Sequence, residues 1–518
     1  MHNPQKPTMY GPAKSFLCFS FILLMGQGVF SEEAIITQEV EIDFGEDRGQ
    51  SFGNLFEFVN AEGTVVGGAG FVDVYNTRFR NDRYKVQFYI KSPHPVRPII
   101  TRHPIPKRHT GLFIFDFGKV IYGWAGDQNT YAWDISKQEW EPSTWHSPEA
   151  NPSGYGGMKL RDGHLIFSRQ GIYYNNTLAI AMPKNGRSYN YYYAEGHAFF
   201  FHVVETDNRY TTRIYAVKWS PGDPPVENLS EAISTICRYP RTTPFSWGQH
   251  KGRVITVGNY GGIYTYVGGQ WVEELKASDQ HSYQVYSHMH YNGKSYMAQY
   301  PTGNLFTYDK GPPTHIKDWP PKLPQVSGSA REAMAMGIYG GDMYVGVWPW
   351  AELWKMDAQQ QNWQYITRGF THPALTNKQV HPYETEAGKQ GLVLNHWGQR
   401  ITSLVPLGSD LYMGTSSKGI DNWTKDRDFL PQHQADEYGS MLKLTLPGTV
   451  TVPVNWSTNS ISLHFCIFPD HIEIRDKHAT LGSAKIEPMT YKSLLRASVR
   501  KGTGVFGPTE LKSVRLTN

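Results

Sequence analysis

The sequence predicts an all-β chain: a seven-bladed β-propeller with flanking N- and C-terminal β segments. Composition, turn residues and a returning strand pattern lead there. Aromatics make up 14% of the 518 residues, with 32 Tyr and 15 Trp, whereas charged residues reach only 19%. Aromatic side chains pack well on pleated surfaces, and 50 Gly and 33 Pro supply tight turns between short strands. No long segment shows helical apolar periodicity with caps.

The repeat is an apolar strand, a turn with Gly or Asn, a strand ending in an aromatic and Asp, and then a Trp. Its first copy covers 112–116, 120–124 and 130–134, followed by Trp140. The fifth covers 284–288, 295–300 and 304–309, and the sixth 334–339, 342–348, 352–357 and 362–365. Weaker copies start near Gly154, Tyr189, Pro244 and Arg400, which makes seven. The spacing scatters around the roughly 40–50 residues that propeller repeats occupy. Such a unit cannot bury both faces alone; stacking units around an axis does so and leaves few open edges. A β-sandwich is the rival, but it rarely repeats one four-strand unit so often.

The expected organisation is a signal peptide over 1–31, an N-terminal β segment over 32–105, the propeller over 106–450 and a C-terminal β segment over 451–518. Alternating strands at 40–44, 84–90, 461–468 and 471–475 mark the two ends, which either complete a blade or pair as a small β module. Near the start, Lys14 precedes an apolar run over 16–25, and Val29 and Ser31 are small enough for cleavage before Glu32. The run is too short to span a bilayer, so secretion, extracellular or periplasmic, is expected rather than a membrane anchor. Removal of the signal takes Cys18 with it and leaves Cys237 and Cys466, read as two unpaired buried thiols rather than a disulfide framework.

A net charge of +4, with no basic run interleaved with aromatics, argues against a nucleic-acid partner. In a propeller the functional cleft is usually the face lined by entries to first strands and by turns after second strands. The repeat places Arg108, His109, Tyr155, Tyr189, Tyr193, Phe245, Tyr283, Arg331, Glu332 and Arg400 at the entries. It places Asp127, Asn129, Arg169, Asp207, Arg209, Tyr260, Trp348, Trp350 and Lys418 at the facing turns. Any one aromatic is ordinarily packing, but several Arg, His and Tyr on one face of a charge-poor chain point to a ligand. Arg matches the planar oxygens of carboxylate or sulfate, and aromatic rings suit sugar faces. The expected partner is an anionic polysaccharide, taken as ligand or substrate by a monomeric protein.

The stretches FGNLFEF at 52–58, GGAGF at 67–71, YNTRFR at 75–80 and DRYKVQF at 82–88, with the repeats behind them, resemble the secreted propeller polysaccharide lyases that cut ulvan. That resemblance covers most of the chain after residue 31 as an overall pattern. It implies β-elimination of a uronate-containing sulfated polymer, which leaves unsaturated uronate ends. The carboxylate must be neutralised, the neighbouring proton removed and the leaving oxygen protonated. The resemblance implies His109, Tyr193 and Arg209 as the catalytic group, the last two having the family's sixteen-residue separation. Asn129 stands where the family has a second His, so either that role passes to His146 or His197 or the activity is altered. Arg108, Asn129, His146, Tyr189, Arg331 and Arg400 are expected to bind substrate. Tyr189, Tyr191 and Tyr193 would share a strand face by period two.

Two other classes compete. A non-catalytic propeller binding acidic polysaccharide needs the Arg and aromatic residues but no His–Tyr pair. A retaining glycoside hydrolase needs two carboxyl groups about 5–5.5 Å apart, and no such pair stands out in the sequence. No cofactor is established by the sequence, which leaves open whether the lyase needs a metal. Cys237 and His250 are zinc-ligand types, but their spacing matches no finger or catalytic pattern; a buried Cys and surface His is the favoured reading, with a structural zinc left open.

Overall fold

The computed structural model describes residues 34–517, apart from 43–52, 73–74, 77–84, 108, 126–129, 144–156, 162, 169, 208, 282–283, 320, 322, 324–331, 358–361, 378–379, 392–395, 420–422, 426, 455–460, 488 and 503–510. The proposed signal peptide lies outside the described residues.

The repeats fold into successive antiparallel sheets, each a meander. Sheet I runs Phe113–Phe117, Val120–Trp124, Thr130–Asp134 and Glu139–Ser143. Sheet II begins with Gly157–Leu160, sheet III with Arg187–Ala194 and sheet IV with Pro244–His250. Sheet V begins with Gln284–Tyr291 and also takes the short strand Tyr75–Asn76 on that inner edge. Sheet VI begins with Glu332–Tyr339 and sheet VII with Gln399–Leu407. First strands of sheets III to VII lie side by side in turn, and that of sheet I touches those of sheets VII and II. Sheets II and III share one apolar cluster, in which Phe167 stacks on Tyr191 at 5.3 Å. This is a propeller-type, all-β architecture.

Burial explains the strand sequences. All five residues of Phe113–Phe117 are buried, whereas in the outermost strand of the same sheet only Trp140 is. A first strand packed between neighbours on both sides can be apolar throughout; an edge strand facing water must alternate. Trp247, fully buried in the first strand of sheet IV, lies parallel to Phe201 at 4.4 Å and donates its indole N–H to the Asn190 carbonyl at 2.6 Å. Neighbouring sheets are thus joined by rings as well as by aliphatic groups.

The two chain ends do both things that the sequence left open. The strand Ile99–Pro104 is the fourth strand of sheet VII, antiparallel to Ser440–Thr445. It therefore belongs with the repeats and not with the N-terminal segment, whose expected limit was 105. Other end strands form two five-stranded sheets around a shared core containing Phe56, Phe88, Val450 and Phe465. One of these sheets includes Thr449–Pro453, which straddles the expected C-terminal limit of the repeats at 450.

The strand Lys85–Ile90 of this end module packs on the sheets where their first strands finish. Lys85 and Asp116 are fully buried there, with Nζ 2.8 Å from the Asp116 carboxylate and donating to the Pro406 carbonyl at 3.0 Å. The Gln87 amide accepts from the Gly341 N–H at 3.2 Å. Tyr89 covers Gly341, where a Cβ would fall 2.2 Å from the ring and φ is +75°, so only glycine fits. Lys91 bridges Asp342 and Asp357 at 2.7 and 3.0 Å. The module thereby covers the end of the ring opposite the first-strand entries. Among the described residues, no helix is long and apolar enough to cross a membrane.

Candidate ligand site

Antiparallel pairing puts the starts of first strands and the ends of second strands at one face. There the aromatics form a row. Phe245, opening sheet IV, meets Tyr286 of sheet V at 5.5 Å, and Tyr286 stacks on Tyr300 at 5.2 Å with planes 9° apart. The Lys418 ammonium lies 4.6 Å from the Tyr300 ring and 4.8 Å from the Trp348 ring, so it joins sheets V and VI by cation–π contact. Its Nζ is also 3.4 Å from the Tyr300 hydroxyl. Phe245, Tyr286, Tyr300 and Lys418 are only partly buried.

Beneath the row lies a charged cluster. Glu332 is fully buried and accepts from Arg400 Nη2 at 2.7 Å and from Lys418 Nζ at 2.5 Å. Both cations match one carboxylate, so the cluster keeps one positive charge. Glu384, on the helix Pro382–Lys389, is buried beside it. Burial pushes the Glu384 carboxyl up to about 7, against the pull of the Lys418 ammonium and with the repulsion of Glu332 adding to the rise.

The expected residues separate into groups. Arg400 reaches this site, but buried and held by Glu332 rather than turned to solvent. Tyr189 is at the start of its strand, 5.3 Å from Phe201 with Arg187 over its ring at 5.7 Å, and faces sheet IV. His109 precedes the first strand of sheet I and lines a pocket at the outer part of the same face. Arg108, Asn129, His146 and Arg331 lie outside the described residues.

Tyr193 and Arg209 do not meet, which corrects the expected catalytic group. Tyr193 pairs with Ala198 and Arg209 with Thr206, positions eight residues apart on the strand His197–Thr206, hence about 26 Å. Tyr193 is a buried residue whose hydroxyl donates to the Trp219 carbonyl at 3.0 Å, and Arg209 is exposed at the other end. His197 is also at the far end, bonded to the Glu195 carbonyl at 2.8 Å. The shared face of three tyrosines fails for a local reason: the register shifts between Tyr189 and Tyr192, with Asn190 at φ +48°. That bulge turns Tyr191 and Tyr193 toward sheet II while Tyr189 and Tyr192 face sheet IV.

The zinc pair separates too. Cys237 sits in the apolar cluster with Tyr264, its thiol pushed up to about 12 by burial, whereas His250 bonds Asp309 at 2.9 Å. His288 and His290 lie near His250, but burial brings both down to about 3, so they are neutral. Among the described residues no group of three or more His, Cys, Asp or Glu could hold a metal. Cys237 and Cys466 are both free and buried, as expected.

Sequence reasoning missed Tyr286, Tyr300 and Glu384. Tyr300 ends a second strand as Trp348 does, so the repeat itself carried the signal. Glu384 is on a helix inserted between repeats and has no equivalent position to align.

No protein-family model matches this chain, and none of the curated proteins does. Solved structures are similar to it at low identity. BamB from Moraxella catarrhalis is 12% identical, with 72% of this chain and 91% of BamB covered and a TM-score of 0.30. AztD from Citrobacter koseri is 11% identical, with 64% and 96% covered and a TM-score of 0.26. A structure described as YCF48 bound to D1 peptide is 10% identical, with 69% and 100% covered and a TM-score of 0.25.

Proposed function

We propose that sheets I to VII are the blades of a seven-bladed propeller, exported after cleavage near residue 31, whose first-strand face binds an acidic polysaccharide. The observation that carries this reading is the aromatic row ending on Lys418, wedged between Tyr300 and Trp348. Rings at about 5 Å intervals offer stacking surface for sugar faces, and the ammonium offers a fixed partner for a carboxylate or sulfate. Titration of the purified protein with ulvan, followed by intrinsic tryptophan and tyrosine fluorescence, tests it. Saturable binding that weakens with salt is expected; no binding to ulvan or to other uronate polymers would overturn it.

The cluster predicts how that binding depends on pH. Below about 7 Glu384 is neutral and two cations face one carboxylate; above it Glu384 ionises and the cluster has no net charge. Affinity for a polyanion is therefore expected to fall several-fold as pH rises from 6 to 8. Glu384→Gln should flatten this dependence. A wild-type affinity that rises or stays level over that interval would contradict the assignment.

A lyase is the second reading, favoured by the 3.4 Å approach of Lys418 Nζ to the Tyr300 hydroxyl. The Tyr300 hydroxyl oxygen accepts from that ammonium and stands where it could exchange the proton beside a uronate carboxylate neutralised by Lys418. The electrons of that C–H bond form the new double bond, the bond to the 4-linked oxygen breaks, and the leaving oxygen receives the proton back from Tyr300. This keeps the β-elimination expected from the resemblance to ulvan-cutting lyases but moves its chemistry from Tyr193 to Tyr300. Ulvan degradation followed by ultraviolet absorbance of the unsaturated uronate checks it: Tyr300→Phe should abolish the rise and leave binding intact. Binding with no rise in the wild type leaves the non-catalytic binder. Hydrolysis ranks last, since Glu332 is fully buried between two cations and cannot act as a nucleophile.

A further inference from the structure

Outward from Lys418, the same face carries a pocket of about 590 Å³, between the end of Ile99–Pro104 and the long connection preceding Ser440–Thr445. Its size suits one or two sugar residues rather than a protein segment. Ile105, Ala435 and Tyr438, all buried, provide an apolar floor. Trp423 forms a wall: its indole N–H donates to the Leu430 carbonyl at 3.0 Å, and it packs on the core of sheets VI and VII while staying partly exposed.

Arg102 and Glu437 are committed to the architecture. Arg102 donates to the Gly369 carbonyl and Ser440 hydroxyl at 2.6 Å and to the Glu437 carbonyl at 2.7 Å, and the Glu437 carboxylate takes the Thr371 N–H at 2.7 Å. Lys107 and His433, both exposed, line the open rim together with Asp436. The pocket adjoins the segment that carries Lys418. Thr110 in its lining accepts a hydrogen bond at 2.7 Å from the N–H of Ser417, the residue immediately before Lys418.

We propose that this pocket is an outer subsite for the same polymer, holding a sugar residue against Trp423 with an anionic substituent at Lys107. It rests on the polysaccharide reading above and adds where the chain runs: from Phe245 across Lys418 and outward over sheet VII. His109 then contributes to binding at this subsite and not to chemistry at the row.

Size-fractionated ulvan oligosaccharides, titrated by calorimetry, provide the test. Wild-type affinity should rise once chains are long enough to span both places, and Trp423→Ala should lose about tenfold on long chains with no change on short ones. Lys107→Glu, an exposed change that spares the core, should produce the same length-selective loss. If both variants keep the full gain with length, the subsite is wrong while the polysaccharide reading stands. If the wild type binds no chain of any length, the polysaccharide reading itself fails and takes the subsite with it.

Discussion

Lys85→Met is expected to lower the unfolding free energy by about 3–5 kcal/mol, the cost of leaving one charge of a buried pair uncompensated. Lys85 and Asp116 are both fully buried, so the Asp116 carboxylate would keep no ammonium at 2.8 Å and gain no water in its place. The loss is measured by urea unfolding of the purified protein. Replacing both residues, Lys85→Met with Asp116→Leu, should recover most of it, because an apolar pair of similar volume removes both desolvation costs. A single variant as stable as the wild type would show that the end module does not depend on this contact. The prediction concerns more than one ion pair, since Lys85 ties a strand of the end module to first strands of sheets I and VII at once.

Lys418→Gln should have the largest effect on ligand binding. The ammonium contacts two rings, the Tyr300 hydroxyl and Glu332, and it is the partly exposed cation of the row. Loss of a charge-assisted contact worth about 1.5–3 kcal/mol corresponds to roughly 10–100-fold in affinity for the acidic polymer. The salt dependence of what remains should be shallower. Glu332 keeps Arg400 at 2.7 Å, so the fold should survive, which a thermal unfolding curve checks alongside the titration. Unchanged affinity in a folded variant would remove Lys418 from the site.

The strands were legible because burial writes itself into composition. The sixth repeat shows this: its second strand is observed at the expected limits, Asp342–Trp348, where six consecutive buried positions after the ion-paired Asp342 are filled by apolar, aromatic or small residues. The partner of Ser440–Thr445 was not legible, because an edge strand such as Ile99–Pro104 alternates with no mark of which sheet it joins. In the site, Glu332, Arg400, Trp348 and Lys418 followed from strand position alone. Tyr193 and Arg209 misled because a spacing in sequence says nothing of direction: along an antiparallel pair the same separation can bring residues together or send them to opposite ends. The bulge at Asn190 compounded this, since one extra residue reverses which side chain faces which neighbour.

The strand Ile99–Pro104 also dictates an order of events during synthesis. Its partner Ser440–Thr445 leaves the ribosome more than 300 residues later, and the end module waits longer still for Ile461–Ile467 and Ser498–Lys501. Until then the outer strand of sheet VII waits without the sheet it joins and Ile36–Ile42 has no partner, so early sheets can form but the ring cannot shut. Folding of the whole is in this sense post-translational, with unpaired strand edges exposed for the duration. Under the export proposed above, that delay would be an advantage: a polypeptide that cannot close until its late strands appear stays threadable until it has crossed.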